Sequence, residues 1–266
     1  MSDPAGAGSL ASSWERLRAA GRPGLVAYVT AGHPSPAETE AFLRGAADAG
    51  VDCVELGVPW SDPVADGPTI QASTHAALEG GMTLGGALEV LARARPAAPT
   101  VVFSYLNPVL ARGPATFARE ARAAGAAGLL ITDLPVGADE PVETDLGSSG
   151  LPLVRLVAPT TPAARQALIA ARSRGFLYVV SRLGVTGESA GVSAALGPQL
   201  AALRRVTRLP IAVGFGISTP EQAVLVGRLA DGVVIGSAVV ARMGAGGAAA
   251  ALAWLRSVRA ALDARG

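Results

Sequence analysis

The chain of 266 residues contains no lysine, because all 22 of its basic side chains are arginine. Without a lysine amine, the chain alone cannot be a Schiff-base aldolase, a P-loop NTPase or an enzyme that holds pyridoxal phosphate through a lysine. Cysteine occurs once, at Cys53, which excludes an intramolecular disulfide. Histidine occurs only at His33 and His75, which disfavours a zinc cluster and leaves a carboxylate-bound magnesium ion open.

An excess of charge of one sign is also missing, since the 22 arginines face 21 acidic residues and the formal net charge is +1. No predicted segment gathers the basic residues on one face, which disfavours a nucleic-acid partner. The N-terminal residues 1–4 lead into polar and small residues rather than an apolar leader, and no apolar run has the length that crosses a bilayer. We therefore expect a cytoplasmic protein.

What the chain does contain is a regular alternation of short apolar runs and helical stretches rich in alanine, leucine and arginine. This alternation indicates an α/β fold. The predicted strands cover residues 25–30, 51–58, 100–106, 128–133, 151–158, 176–182, 210–216 and 232–240. The predicted helices cover residues 36–49, 83–94, 115–124, 162–173, 194–206, 220–229 and 247–264, with an additional helix near 10–20.

Eight strand–helix units in a chain of this length predict a (β/α)₈ TIM barrel, with the additional N-terminal helix covering its bottom. No linker divides the chain, so we expect a single domain over residues 1–266. The alternative is a doubly wound sheet, but the turn after the first strand, Thr30-Ala31-Gly32-His33-Pro34, lacks the glycine-rich fingerprint of that fold. In a barrel, functional groups lie at the carboxyl ends of the strands, which confines the search for a site.

The second strand carries a glutamate near its carboxyl end. Side chains alternate between the two faces of a strand, so an outward apolar set of Val54, Leu56 and Val58 places Glu55 inside the barrel. Burial in an apolar barrel mouth raises the pKa of a carboxyl group, which makes Glu55 a candidate acid/base. The alternative is a structural glutamate paired with an arginine.

The loop after this strand, residues 59–69, contains three prolines and two aspartates and is expected to be stiff. Asp66 alone fits a turn or a helix cap, which is the alternative to a functional role. Its closeness to Glu55 in sequence favours two carboxylates that divide acid and base duties.

Three further strand ends are candidates. Tyr178 on the sixth strand either lines the pocket or is a core tyrosine, and the glycine-rich segment that follows predicts a mobile lid. After the seventh strand, Thr219 and Gln222 suit the cap of a helix. Small residues at the ends of the seventh and eighth strands, around Gly216, Gly236 and Ser237, predict a phosphate site.

Taken in order along the chain, these segments resemble one family, the α subunit of tryptophan synthase. The long motif after the second strand is the most specific, and the landmarks run from about residue 25 to residue 243. The matching segments are residues 28–32, 55–71, 105–108, 133–135, 158–161, 181–187, 214–218 and 236–238.

The resemblance implies a lyase of tryptophan biosynthesis that cleaves indole-3-glycerol phosphate to indole and glyceraldehyde 3-phosphate by a retro-aldol reaction. Glu55 would be the acid/base, and Asp66 would bind the indole N–H. The expected substrate-binding residues are Tyr28, Ile70, Tyr178 and Thr186, and the expected phosphate-binding residues are Gly187, Phe215, Gly216, Gly236 and Ser237.

The resemblance also implies a partner. The α subunit docks on a β subunit in an α₂β₂ heterotetramer, pyridoxal phosphate belongs to the β subunit, and this chain needs no cofactor or metal of its own. The loop with Asp62 and Asp66 and the segment around Thr186 resemble the elements that meet this partner. The chain departs from the family pattern at Phe176, Leu183 and Glu188, among other positions.

Three other functions stay open. A lyase that works alone and releases indole would use the same pocket. A non-catalytic subunit that only activates a β partner would not need Glu55 and Asp66. A barrel enzyme acting on another phosphorylated substrate would share the phosphate site but not the motif of residues 55–71.

Overall fold

The computed structural model describes residues 9–180, 196–214 and 216–264. Eight parallel strands form a closed barrel in which each strand pairs with its neighbours in chain order and β8 pairs with β1. The predicted (β/α)₈ barrel is therefore confirmed. The strands are β1 (Gly24–Thr30), β2 (Cys53–Gly57), β3 (Thr100–Ser104), β4 (Gly128–Ile131), β5 (Leu153–Val157), β6 (Leu177–Val180), β7 (Ile211–Gly214) and β8 (Gly232–Ile235).

The helices surround the barrel and include three that the sequence analysis does not predict, α3, α5 and α7. The helices are α1 (Leu10–Ala19), α2 (Pro36–Gly45), α3 (Pro68–Glu79), α4 (Leu84–Ala94), α5 (Leu106–Arg112), α6 (Pro114–Ala123), α7 (Glu140–Gly147), α8 (Ala163–Arg172), α9 (Leu196–Val206), α10 (Pro220–Gly227) and α11 (Ser237–Asp263). Residues 47–49, predicted as the end of α2, form a separate 3₁₀ turn. The strand predicted over 232–240 is wrong after Ile235, because the apolar residues Val239 and Val240 belong to the first turns of α11.

The barrel has two apolar layers, one inside and one between strands and helices. Val54, Leu56 and Val58 pack in the outer layer, and Cys53 packs in the inner one. The predicted alternation along β2 is therefore confirmed, and it directs the Glu55 side chain inward.

The lower end of the barrel is covered by α1, as predicted. Ser9 caps this helix, and Trp14 on its buried face reaches the barrel axis. The indole ring of Trp14 lies 5.3 Å from the ring of Phe176, centroid to centroid. Phe176, one of the departures from the family pattern, is thus part of the floor of the barrel.

The helix α11 is long and apolar enough to cross a membrane by length and composition, although the sequence analysis finds no run of that length. The difference arises because two shorter helical segments continue across a bend at Gly246 and Gly247. Apolar side chains on both sides of the bend, among them Met243 and Leu255, pack in the outer layer of the barrel. The composition of α11 is thus explained by its packing on the barrel.

A side chain of α2 stabilises the bend in α11 through a hydrogen bond. The Glu38 carboxylate accepts a hydrogen bond from the backbone N–H of Ala248 at 2.6 Å, where the second segment of the helix begins. Gly247 has a φ of +66°, and a Cβ atom there would lie 2.8 Å from the Glu38 carboxyl carbon. Backbone conformation and close approach therefore both require glycine at position 247.

We expect Gly247→Ala to lower the free energy of unfolding by about 2–4 kcal/mol, through the strain of a positive φ that side chains rarely adopt and through displacement of the Glu38 cap. Gly81→Ala is the matched control, because Gly81 has a φ of +80° with nothing near its absent Cβ. Urea denaturation of both variants measures the difference. Equal losses would show that the contact with Glu38 adds nothing.

Candidate active site

A cavity of about 420 Å³ opens at the carboxyl ends of the strands. Its walls are mostly apolar, and they include two carboxylates and two tyrosines. The lining residues are Tyr28, Glu55, Ala65, Asp66, Gly67, Pro68, Ile70, Phe103, Thr132, Leu156, Tyr178, Val180, Gly216, Ile217, Ser218, Val234, Gly236, Ser237 and Ala238. Every predicted site residue that the structure describes lines this one cavity.

Glu55 lies on β2 with its side chain inside the barrel, and the residue is only 1% exposed. Its Oε1 atom has no hydrogen-bond partner among the described residues, and removal from water raises the pKa of this carboxyl group to about 8. No arginine pairs with it in that part of the chain, so the structural alternative for Glu55 is not supported. A carboxyl group with this pKa can donate and accept a proton near neutral pH.

Asp66 lies in the loop between β2 and α3. Burial raises the pKa of its carboxyl group to about 6, and a hydrogen bond with the Tyr105 side chain limits the rise. The residue that caps α3 is Gly67, which forms no side-chain cap, and the backbone carbonyl of Asp66 accepts from the Gln71 side chain at 2.9 Å. The Asp66 carboxylate is therefore not used as a helix cap.

Tyr28 on β1 and Tyr178 on β6 both line the cavity. The ring of Tyr28 meets the ring of Phe103 edge to face at 5.4 Å. Burial raises the phenol pKa of both tyrosines, and the charges of Glu55 and Asp66 raise it further. The two tyrosines and the two carboxyl groups thus share one electrostatic environment. Tyr178 lines the cavity as predicted.

The corner predicted to bind phosphate is built from strand ends and one helix end. Gly216, Gly236 and Ser237 lie on the same side of the cavity, where α11 begins at Ser237. A helix N-terminus with small residues beside it attracts anions. The neighbouring α10 has the predicted capping box of Thr219 and Gln222.

Several predicted positions lie outside the described residues. They are Thr186, Gly187 and Phe215, together with Leu183, Glu188 and the rest of the predicted lid. Among the residues that the structure does describe, no three histidine, cysteine, aspartate or glutamate side chains are grouped for a metal ion.

The sequence analysis misses Tyr105. This residue follows β3, is 3% exposed, and accepts a hydrogen bond from the backbone N–H of Ala65 at 3.1 Å. Its side chain also faces the Asp66 carboxyl group, and each of the two groups shifts the pKa of the other. The available signal was its place at the carboxyl end of a predicted strand within a family motif.

The fold and the cavity define an enzyme of the (β/α)₈-barrel class, with one buried and one half-buried carboxyl group in a mostly apolar cavity at the carboxyl ends of the strands. The family model described as "Tryptophan synthase alpha chain" matches residues 14–260. The chain belongs to this family, whose members are lyases that cleave indole-3-glycerol phosphate in tryptophan biosynthesis.

Similar proteins span nearly the whole chain. The tryptophan synthase alpha chain of Laribacter hongkongensis is 47% identical over 254 residues, which is 93% of this chain and 96% of the relative. The alpha chain of Caulobacter vibrioides is 46% identical over 227 residues, which is 84% of this chain and 82% of the relative.

Solved structures agree with these relatives. Tryptophan synthase subunit alpha from Legionella pneumophila superposes with a TM-score of 0.87 at 33% identity, covering 96% of this chain and 98% of the other. A chain of M. tuberculosis tryptophan synthase in an aminoacrylate-bound form superposes with a TM-score of 0.86 at 32% identity, covering 96% and 100%.

Proposed function

We propose that this chain performs the family's retro-aldol cleavage with Glu55 as acid/base and Asp66 as the acceptor of the indole N–H. The observation that carries the proposal is that both carboxyl groups line one apolar cavity with raised pKa values of about 8 and about 6. At neutral pH, Glu55 then holds a proton and Asp66 is ionised, which are the states that the reaction needs.

In the proposed reaction, Glu55 first donates its proton to the ring carbon of indole that carries the glycerol phosphate chain. The ring nitrogen becomes positively charged, and the Asp66 carboxylate stabilises that charge through the N–H. The Glu55 carboxylate then takes the proton of the adjacent side-chain hydroxyl. The carbon–carbon bond breaks, its electron pair returns to the ring, and the hydroxyl carbon becomes the aldehyde. Glu55 ends protonated, as it began.

The rest of the cavity would hold the two ends of the substrate. Tyr28, Ile70 and Tyr178 would enclose the indole ring and the reacting side chain, together with Thr186. Gly216, Gly236 and Ser237 would bind the phosphate, together with Gly187 and Phe215. The lining of the cavity and the N-terminus of α11 support this division.

We also propose a β-subunit partner, in an α₂β₂ assembly within the cytoplasm, with residues 1–266 as one domain. Pyridoxal phosphate would belong to the partner, because this chain has no lysine to hold it. Two apolar side chains near the cavity mouth support a partner surface, since Val64 is 83% and Leu110 is 44% exposed.

The test is indole release from indole-3-glycerol phosphate by the purified chain, with and without a tryptophan synthase β subunit. Slow release that the β subunit accelerates, that Glu55→Gln abolishes and that Asp66→Asn strongly reduces, supports the proposal. Rapid release without any effect of the β subunit favours a free lyase. No release under either condition favours a subunit that only activates its partner.

The pH dependence of this activity is a further prediction. Asp66 must be ionised and Glu55 protonated in the free enzyme, so kcat/KM should follow a bell with limbs near pH 6 and pH 8. Steady-state kinetics between pH 5 and pH 9.5 measure the limbs. In Asp66→Asn, the residual activity should lose the acid limb and keep the alkaline one, whereas an unchanged acid limb would exclude Asp66 as its source.

A further inference from the structure

Tyr105 holds the loop that carries Asp66 at two adjacent points. Its hydroxyl accepts a hydrogen bond from the Ala65 backbone N–H at 3.1 Å, and it also faces the Asp66 carboxyl group, whose pKa it lowers. A phenol has one proton to donate and can also accept, so a single group satisfies both contacts in one orientation. The position and the charge state of Asp66 therefore both depend on where Tyr105 lies.

Tyr105 is itself fixed by the next strand. It stands at the N-cap position of α5 and forms no side-chain cap there. The cap comes from Asp133 in the loop after β4, whose carboxylate accepts the backbone N–H of Leu106 at 2.6 Å. Since Leu106 directly follows Tyr105, this bond fixes the backbone from which the phenol extends.

The loop that carries Asp133 is anchored by a buried ion pair. Arg155 on β5 pairs with Glu143 on α7 at 2.7 Å, and both side chains are less than one-tenth exposed. Arg155 also donates to the carbonyl of Leu134, the residue after Asp133, at 3.2 Å. A continuous series of contacts thus leads from β5 through β4 and β3 to Asp66.

We propose that Tyr105 is a positioning residue for Asp66, and that Asp133 holds Tyr105 in place by capping α5. The inference rests on the proposed function, because Asp66 is there the acceptor of the indole N–H. Tyr105 does not replace Asp66 in the reaction. It sets the direction of the carboxylate and favours its ionised form by donating a hydrogen bond to it.

Few groups face Asp66, so the effect of Tyr105 on its pKa can be measured apart from the effects of the others. They are Tyr105 from the end of β3, Tyr28 on β1 and Tyr178 on β6, with Glu55 on β2 near both of the last two. Of these, the Tyr105 side chain is the group that lowers the pKa of Asp66 against the effect of burial. Removal of its hydroxyl should therefore move the titration of Asp66 upward.

The experiment is Tyr105→Phe in the full-length chain, with kcat/KM for indole-3-glycerol phosphate measured against pH. Loss of one hydrogen bond to a charged group should move the acid limb from near pH 6 to about pH 7 and lower kcat/KM about fivefold at pH 6. The change should be in kcat, with KM altered less than about threefold, because the phosphate corner is untouched. An acid limb that stays near pH 6 overturns the proposal.

Asp133 supplies the second arm. Asp133→Asn keeps an oxygen that can accept the Leu106 N–H and should behave as the wild type, whereas Asp133→Ala should move the acid limb as Tyr105→Phe does. The control is Asp139→Ala, which removes a similar cap from α7, where Asp139 accepts the Val142 N–H at 3.1 Å. Equal effects of Asp133→Ala and Asp139→Ala on the limb would overturn the role of Asp133.

A readout without turnover separates this inference from the proposed function. The carboxyl pKa of Asp66, followed by carbon-13 NMR and assigned by comparison with Asp66→Asn, should rise in Tyr105→Phe whether or not the chain cleaves substrate. If the pKa of Asp66 rises in Tyr105→Phe but the wild-type chain does not cleave substrate, the proposed function is refuted and the positioning role stands. If the wild-type chain is active but the pKa of Asp66 is unchanged in Tyr105→Phe, the positioning role is refuted and the proposed function stands.

Discussion

Glu55→Gln should abolish cleavage while making the folded protein more stable at alkaline pH. The amide cannot exchange a proton, so we expect kcat to fall at least about 10³-fold, within the range for loss of an acid/base group. The stability effect follows from the pKa of Glu55, which is about 8 in the folded chain against a usual value of 4.5. Because the folded chain binds this proton more tightly than the unfolded chain, the free energy of unfolding falls as the pH rises between these two values.

The size and direction of the stability gain depend on pH. Below about pH 4.5 both side chains are neutral, and the variant and the wild type should unfold alike. Above pH 8 the folded wild type must bury the charge of Glu55, whereas the same group is freely ionised in the unfolded chain. The free energy of unfolding of the variant should then exceed that of the wild type by up to about 5 kcal/mol. Thermal unfolding at pH 5 and pH 8.5 measures both limits, and Tm should rise by up to about 10 °C or more at pH 8.5 and by little at pH 5.

Glu143→Gln is the matched control for stability. Glu143 is also a buried glutamate, but it pairs with Arg155 at 2.7 Å. Neutralising it leaves a buried guanidinium without its partner and should destabilise the protein at both pH values. A Glu55→Gln variant that is less stable than the wild type at pH 8.5 would show that the raised pKa of Glu55 is wrong.

Gly57→Ala should be the most damaging single methyl addition near the site. A Cβ atom at Gly57 on β2 would overlap the Tyr28 hydroxyl and lie 2.5 Å from Cζ of that ring. Tyr28 is buried against Phe103, so its ring can move only into the cavity. We expect kcat/KM to fall about 100-fold from the misplaced wall, with a loss of about 1–3 kcal/mol in unfolding free energy.

The control for Gly57→Ala is Gly147→Ala, at the end of α7, where nothing lies within 4 Å of the added atom. It should leave activity and stability unchanged. Tyr28→Leu in the Gly57→Ala background removes the overlapping ring and should restore part of the lost stability. If kcat/KM of Gly57→Ala is within twofold of the wild type, Tyr28 moves aside without loss of activity and the prediction is wrong.

Much of the fold follows from local patterns in the chain. The period-two pattern around Cys53–Gly57 predicts both the strand and the inward direction of Glu55, because burial on one face dictates the alternation. The eighth strand is predicted too long, since β-branched residues such as Val239 and Val240 suit both a strand and a buried helix. Only packing on the barrel decides between the two.

The missed helices have different physical reasons. For α5, the N-cap position is Tyr105, and the carboxylate that accepts the Leu106 N–H is that of Asp133, 27 residues away, so no local signal exists. For α3, the cap position is Gly67, with no side-chain bond. For α7, Asp139 caps the helix and acidic residues follow, so that signal was available in the sequence.

In the candidate site too, some residues are predicted from local sequence and others depend on tertiary contacts. Residue types and strand ends point to Glu55, Asp66 and the small residues around Gly236, since each depends on its own strand or loop. The role proposed for Tyr105 depends on three loops that meet only in the closed barrel. The opposite ionisation of the two carboxyl groups likewise depends on how deeply each is buried.

The position of Trp14 bears on where small molecules enter and leave the barrel. Its ring packs against Phe176 at the lower end of the barrel, whereas the described part of the cavity opens at the carboxyl ends of the strands. Substrate must enter and indole must leave past the same rim, where the loops after β2, β3 and β4 lie. The order of entry and departure is therefore governed at that rim, and a protein seated on it would decide whether indole escapes to water or moves onward.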